Sequence, residues 1–209
     1  MKKHFLLPAL LASALLSSCS SSPAADTPAQ TANTAPEAVP ADNMPATAAS
    51  FDAGIDKLDK LKNLTPLTDE EMKKLLPEQV EGLKRSAVEL SNVVGKIASA
   101  KYEKQPDAAF VVNITDCAGE MGAGKYMMAY MAPVATEDSP PATAETANLT
   151  TQKKVDFAGQ QAISRHDPVN NVYSLVFMHK DRLFVDVSGP AGTSLADVLA
   201  FATKLDSSL

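Results

Sequence analysis

Gly119-Glu120-Met121-Gly122-Ala123-Gly124-Lys125-Tyr126 has the glycines, the spacing and the lysine of a phosphate-binding loop, G-x-x-x-x-G-K-[ST], up to its last position. In such a loop backbone N–H groups and the lysine hold phosphates, and the final hydroxyl holds Mg²⁺. Tyr126 stands where that hydroxyl must be. No clean apolar strand ends in a metal-binding Asp, because Phe177-Met178 runs into His179-Lys180. The residues therefore predict no nucleotide site. They predict that Gly119, Gly122 and Gly124 allow a tight entry and close packing of a helix on a sheet, with Lys125 reaching solvent. Anion binding of another kind at the backbone N–H groups is the alternative.

Three other sets of residues have the right types for chemistry. Met121, Met127, Met128 and Met131 crowd one segment, and soft thioethers with imidazoles suit copper. A metal-handling reading would use Met127, Met128, Met131, His166 and His179. The same methionine spacing is that of a buried helix face, and packing is the expected role. Cys117 paired with His166 would make a nucleophile. A lone Cys between apolar neighbours is instead expected to be an inert core residue. Asp116, Glu120, His166, Asp167 and Asp181 are candidate acid–base groups, but turn and surface roles account for each. No catalytic residue, metal or cofactor is expected.

The elements that must position these residues follow from periodicity. Ile55, Leu58 and Leu61 fall at helical spacing. Thr68 and Glu71 form a capping box, Leu67 can staple to Met72, and Met72, Leu75 and Leu76 make a stripe that Pro77 ends. Residues 83–90 and 96–102 read as a strand pair around Ser91-Asn92. The β-branched, apolar run 108–115 reads as a strand leading into a helix over 118–132. Residues 135–150 read as a loop. Residues 154–157 and 161–166 alternate around Ala158-Gly159, and 173–178 and 183–187 form a hairpin after a turn at 167–171. Thr193 or Ser194 caps a last helix with the stripe Leu195, Val198, Leu199, Ala202 and Leu205. Short connections predict a single α+β domain over 52–209, mainly antiparallel sheet with flanking helices.

The first fifty residues have a different character. Lys2 and Lys3 precede an apolar run, 5–16, too short to span a bilayer. Leu16-Ser17-Ser18-Cys19 then resembles the lipobox of bacterial lipoproteins. The resemblance implies a signal peptide over 1–18, diacylglycerol on Cys19, cleavage before it and N-acylation, commonly with palmitate. Ser20 in place of Asp resembles lipoproteins sorted to the outer membrane. The domain is thus expected in the periplasm or on the cell surface, joined to a membrane through lipid. Residues 19–51, rich in Ala, Pro, Thr and Ser and poor in aromatics, read as a disordered linker. About thirty residues reach roughly 90 Å if polyproline-like and about 30 Å if coiled.

The chain of 209 residues carries a formal charge of -6, and losing Lys2 and Lys3 leaves the remainder two charges more negative. Such a body disfavours nucleic acid and is not drawn to anionic lipid. Of the 2 cysteines one is the expected anchor, so no internal disulfide is expected. From Thr68 onward the chain resembles an uncharacterised family of bacterial envelope proteins. The residues that carry this are Leu76-Pro77, Gly82-Leu83-Lys84-Arg85, Ala100 with Tyr102, Ile114-Thr115-Asp116 and Asp181-Arg182-Leu183-Phe184-Val185. The resemblance implies an exported α+β domain and no established activity. In fold alone the helix-covered sheet is similar to PsbP-like domains. The expected function is a non-enzymatic binding domain, with an envelope protein partner expected ahead of a small ligand. Copper handling by the Met-rich helix is the alternative, and a hydrolase using Cys117 or the acidic groups the third.

Overall fold

Apolar residues alternate through the second half of the chain, and the strands they form bury one set on each side of a sheet. The computed structural model describes residues 47–103, 108–135, 138–140, 143 and 146–209. The signal peptide, Cys19 and the linker up to residue 46 lie outside the described residues. The order is α1 (Thr47–Lys62), α2 (Asp69–Leu75), β1 (Gln79–Val80), β2 (Leu83–Arg85), β3 (Glu89–Ser91), β4 (Lys96–Glu103) and β5 (Ala109–Asp116). Next come α3 (Gly119–Tyr126), a π-helical turn (Met127–Met131), α4 (Ala132–Ala135), β6 (Thr151–Phe157), β7 (Gln160–Asp167), β8 (Val172–His179), β9 (Leu183–Ser188) and α5 (Leu195–Asp206). The sheet runs β1-β2-β4-β5-β9-β8-β7-β6, with β3 also paired to β4, and every strand pair is antiparallel. The domain is α+β, as its connection lengths predict.

One face of the sheet carries the larger core. Ala98, Tyr102, Val112, Ile114, Leu175, Phe177, Val185 and Val187 point there and pack against Met72 and Leu76 at α2 and Val198, Phe201 and Leu205 of α5. Each large side chain fully buried in this way contributes about 1.5–3 kcal/mol. The Tyr102 hydroxyl donates to the Pro77 carbonyl at 2.8 Å, which ties the end of the α2 segment to β4. The opposite, second face carries a smaller cluster of Ile163, Val176, Met178 and Phe184 under α1 and the helical rod 119–135.

Local chemistry sets the boundaries. Thr68 and Glu71 form both halves of the capping box. Ser194, not Thr193, caps α5 by accepting from the Asp197 N–H. The strand expected over 83–90 is two strands, because Ser86 leaves the ladder. Its N–H donates to the Lys101 carbonyl, and its Oγ accepts from the Lys101 N–H at 3.0 Å. Among the described residues no helix is long and apolar enough to cross a membrane.

Candidate functional site

The phosphate-loop look-alike is a helix, not a loop, since Gly119 to Tyr126 is the whole of α3. Gly119 starts it at φ +74°, where a side chain is strained and Pro66 lies against it. Gly122 sits directly on the chain turning out of β5. A Cβ there would lie 2.5 Å from the Asp116 carbonyl oxygen and 2.6 Å from the Cys117 carbonyl carbon. Gly124 departs from the expectation, because nothing lies within 4 Å of a Cβ at that position. Lys125 departs from it too. Its Nζ lies 5.2 Å from the centre of the Phe184 ring, folded back over the sheet and not stretched into solvent. Lys125→Ala should therefore cost about 0.5–1 kcal/mol, the worth of a partly exposed cation–π contact. A thermal melt indistinguishable from wild type would contradict that contact.

The methionines are also placed differently. Met121, Met127 and Met128 are 60%, 39% and 72% exposed, so packing is not their role. The inward stripe of the rod is Ala123, Tyr126, Tyr130 and Val134, with Met131 beside it. The segment includes a π turn, in which the Ala132 N–H bonds the Met127 carbonyl. His166 and His179 lie on the other face of the sheet. His166 stacks on Tyr173, with ring centres 4.1 Å apart, and His179 Nδ1 pairs with Asp206 of α5 at 2.6 Å. Nε2 of both rings is buried without a partner among the described residues. The sheet thus separates Met127, Met128 and Met131 from both histidines. Among the described residues no three His, Cys, Asp or Glu side chains converge as a metal site would need.

Cys117 is fully buried on the second face, and its thiol is pushed up to about 12, first by burial and further by the Asp116 charge. His166 is across the sheet, so no nucleophile–base pair is assembled. The candidate acid–base groups are split as well. Asp116 faces Leu183 in register and Asp167 faces Val172, and Leu183 faces His179. Seven residues along β8 then separate the two ends, roughly 23 Å. Asp167 accepts from the Val169 and Asn170 N–H groups as a turn cap. Asp181 is 85% exposed and pairs with Lys57 of α1, and Glu120 is exposed on α3.

Asp116 has a structural role. Its Oδ1 accepts from Arg182 Nε at 2.8 Å and the Ala118 N–H at 3.2 Å. Its Oδ2 accepts from Arg182 Nη2 at 2.9 Å and the Leu67 N–H at 2.7 Å. Arg182 Nη2 also donates to the Thr65 carbonyl at 2.8 Å. The pair ties the α1–α2 connection, the end of β5 and the β8–β9 turn into one knot. Two of the segments quoted from the sequence, Ile114-Thr115-Asp116 and Asp181-Arg182-Leu183-Phe184-Val185, meet in it.

What the residue types did not suggest is the uncovered part of the second face. The rod buries Ile163, Val176, Met178 and Phe184, and Thr115 beside them is buried too. Beyond that line the same face continues as Ser99, Asn113, Asp186, Ser188, Ser174 and Arg165, all part-exposed. Ser99 Oγ donates to Asn113 Oδ1 at 2.7 Å, Asn113 stands opposite Asp186, and Ser188 opposite Ser174. A cavity of about 450 Å³ opens here, lined by Ser99, Lys101, Val111 and Asn113 together with Ser86, Glu89 and two alanines, Ala87 and Ala100. Comparison with known proteins finds no matching family, no matching curated protein and no matching solved structure.

The site therefore rests on its own geometry. Asp186 is its unusual member. Burial pushes its carboxyl above the ordinary 3.8, against the opposing charges of Arg165 and Lys125. It makes no hydrogen bond or ion pair to a described residue. The signal was present in Leu183-Phe184-Val185-Asp186-Val187, where one acid interrupts an apolar strand. Alternation alone assigns such a residue to the solvent side and leaves the helix beside it invisible.

Proposed function

We propose that the chain is an envelope lipoprotein, held on a membrane through lipid at Cys19, whose domain binds a polar molecule on the open part of the second sheet face. One observation carries the binding reading: a cavity of about 450 Å³ opens on this face beside Asn113, and Asp186, opposite Asn113 in register, is a carboxyl with no partner among the described residues. The dispersal of Cys117, the histidines and the acids supports binding over catalysis. The leader and Leu16-Ser17-Ser18-Cys19 support the anchor, and Ser20 supports the outer membrane. The tether would let the domain meet envelope components at a distance from its anchor.

Two measurements test this. Cys19→Ala should abolish metabolic palmitate labelling, and persistent labelling would refute the anchor. The mature chain made without its lipid should be retained on isolated envelope fractions or enriched with an envelope solute. That retention should be lost when Asn113→Trp or Ser99→Trp fills the cavity without lowering Tm. Retention unchanged in a folded, filled variant would refute the face.

A further inference from the structure

Sulfur sets the outer side of the rod apart. Met121, Met127 and Met128 are exposed on it, at positions that a surface helix ordinarily fills with polar residues. Leucine would expose much the same apolar surface there, so the chemical distinction of these side chains is the thioether. Seven residues, about two helical turns, separate Met121 from Met128, which puts them on one side of the rod. Gly124 lies between them without a side chain, and a Cβ added to it would meet nothing within 4 Å. The thioethers are therefore open to a small solute.

The other oxidisable groups among the described residues are shielded. Met72 is buried in the larger core and Met178 in the smaller cluster. Met131 is half-buried, with its sulfur against α1 at Gly54. Cys117 is fully buried, and its raised pKa keeps the reactive thiolate scarce. The chain has no tryptophan. A sulfoxide is polar, so forming one on Met72 or Met178 would disrupt a core. On Met121, Met127 or Met128 it would meet water, and Ala123, Tyr126 and Tyr130, which hold the rod to the sheet, would keep their contacts.

We propose that the outer side of the rod is a reversible oxidation site, at which Met121, Met127 and Met128 accept oxygen from peroxides while the domain stays folded. A thioether lone pair attacks one oxygen of hydrogen peroxide. The S–O bond forms as the O–O bond breaks, and the departing hydroxide takes the proton of the transferred hydroxyl and leaves as water. Sulfur is oxidised by two electrons and the peroxide is reduced by two. The sulfoxide is returned to the thioether by methionine sulfoxide reductases, one for each epimer. Oxidation thereby changes an exposed apolar side of the rod into a polar one. This chemistry is independent of any ligand on the open sheet face.

The test is timed exposure of the mature chain, made without its lipid, to hydrogen peroxide, with peptide mass spectrometry reading one added oxygen at each methionine. Met121, Met127 and Met128 should react at least about tenfold faster than Met72 and Met178, whose sulfurs are reached only when the fold opens. Met131 should fall between the two groups. Protein oxidised at the three outer positions should melt as untreated protein does and elute earlier from a hydrophobic-interaction column. The two reductases together should reverse both the mass change and the earlier elution. Met121→Leu with Met127→Leu and Met128→Leu should keep the wild-type melting temperature, lose the fast phase of oxidation and elute at the same place before and after peroxide. The wild-type map decides the matter even if that variant folds poorly. Equal rates at outer and buried methionines, a melting temperature that falls as the first oxygens are added, or sulfoxides that the reductases leave in place on the folded protein would each overturn the proposal.

Discussion

Gly122→Ala lowers the stability of the domain by about 3 kcal/mol or more, whereas Gly124→Ala, two residues on in the same helix, is neutral or stabilising. The added atom at position 122 would meet the Asp116 carbonyl oxygen at 2.5 Å, the Cys117 carbonyl carbon at 2.6 Å and the Cys117 Cα at 2.8 Å. All three are backbone, so no side-chain rotation relieves the clash. Gly95 lies close as well, since a Cβ added there would be 3.5 Å from the Gly122 Cα. The helix must lift from the sheet or β5 must shift, and either opens the cluster of Cys117, Ala123 and Phe184. Overpacking a well-filled site costs about 1–3 kcal/mol and more where backbone must move. At Gly124 a methyl meets nothing within 4 Å, and alanine is favoured over glycine in a helix by up to about 1 kcal/mol. Thermal melts should separate the two variants by about 6–12 °C, given roughly 2–4 °C per kcal/mol for a domain of this size. A Gly122→Ala protein melting within about 2 °C of wild type, by the same scale, would show that the α3–β5 contact is looser than these distances.

That contrast between two glycines shows where sequence reasoning stops. The motif and its setting, strand then glycines then helix, are visible in the residues, and so is the failure at Tyr126. Which glycine carries the contact is not, because it depends on which side of α3 meets β5. The elements themselves were mostly legible, since a strand such as β5 or β8 is defined by its own alternation and a cap such as Thr68 by a residue three positions away. The Met-rich segment misled because tyrosine and methionine both suit a buried stripe, and the residues alone do not say that Tyr126 and Tyr130 take the inward side. β3 was hidden because the departure of Ser86 from the ladder is fixed by its bonds to Lys101, fifteen residues on. The candidate site was least legible. Ser99, Asn113, Asp186 and Arg165 come from four strands, each reads as an ordinary outward position, and only the sheet order brings them together.

Asp116→Ala should be among the most damaging single substitutions in the chain, and its effect should fade in acid. The carboxylate has a side chain with 0% exposure and accepts four hydrogen bonds, two of them from Arg182. Removing it strands the Leu67 and Ala118 N–H groups and leaves the part-buried guanidinium with only the Thr65 carbonyl. Breaking a buried pair in this way costs about 3–5 kcal/mol. The expected fall in Tm is about 6–20 °C by the same per-kilocalorie scale. Burial alone would raise the Asp116 pKa, but the Arg182 hydrogen bonds and charge and the two backbone donors more than offset it and hold it below the ordinary 3.8. A depressed pKa means that the unfolded chain takes up the proton first. The stabilisation is therefore complete well above pH 3.8 and is lost as pH falls through the lower, folded value. Wild type and Asp116→Ala should differ most near neutrality and converge as pH drops below about 4. Melting curves of both proteins from neutral to strongly acid pH measure this. A gap that stays constant into acid would mean that packing and not the charge pair holds the knot. Asp116→Leu with Arg182→Met distinguishes the two further. Because an apolar replacement of a whole buried pair is often near neutral, the double variant should recover most of the loss except what the two stranded N–H groups retain.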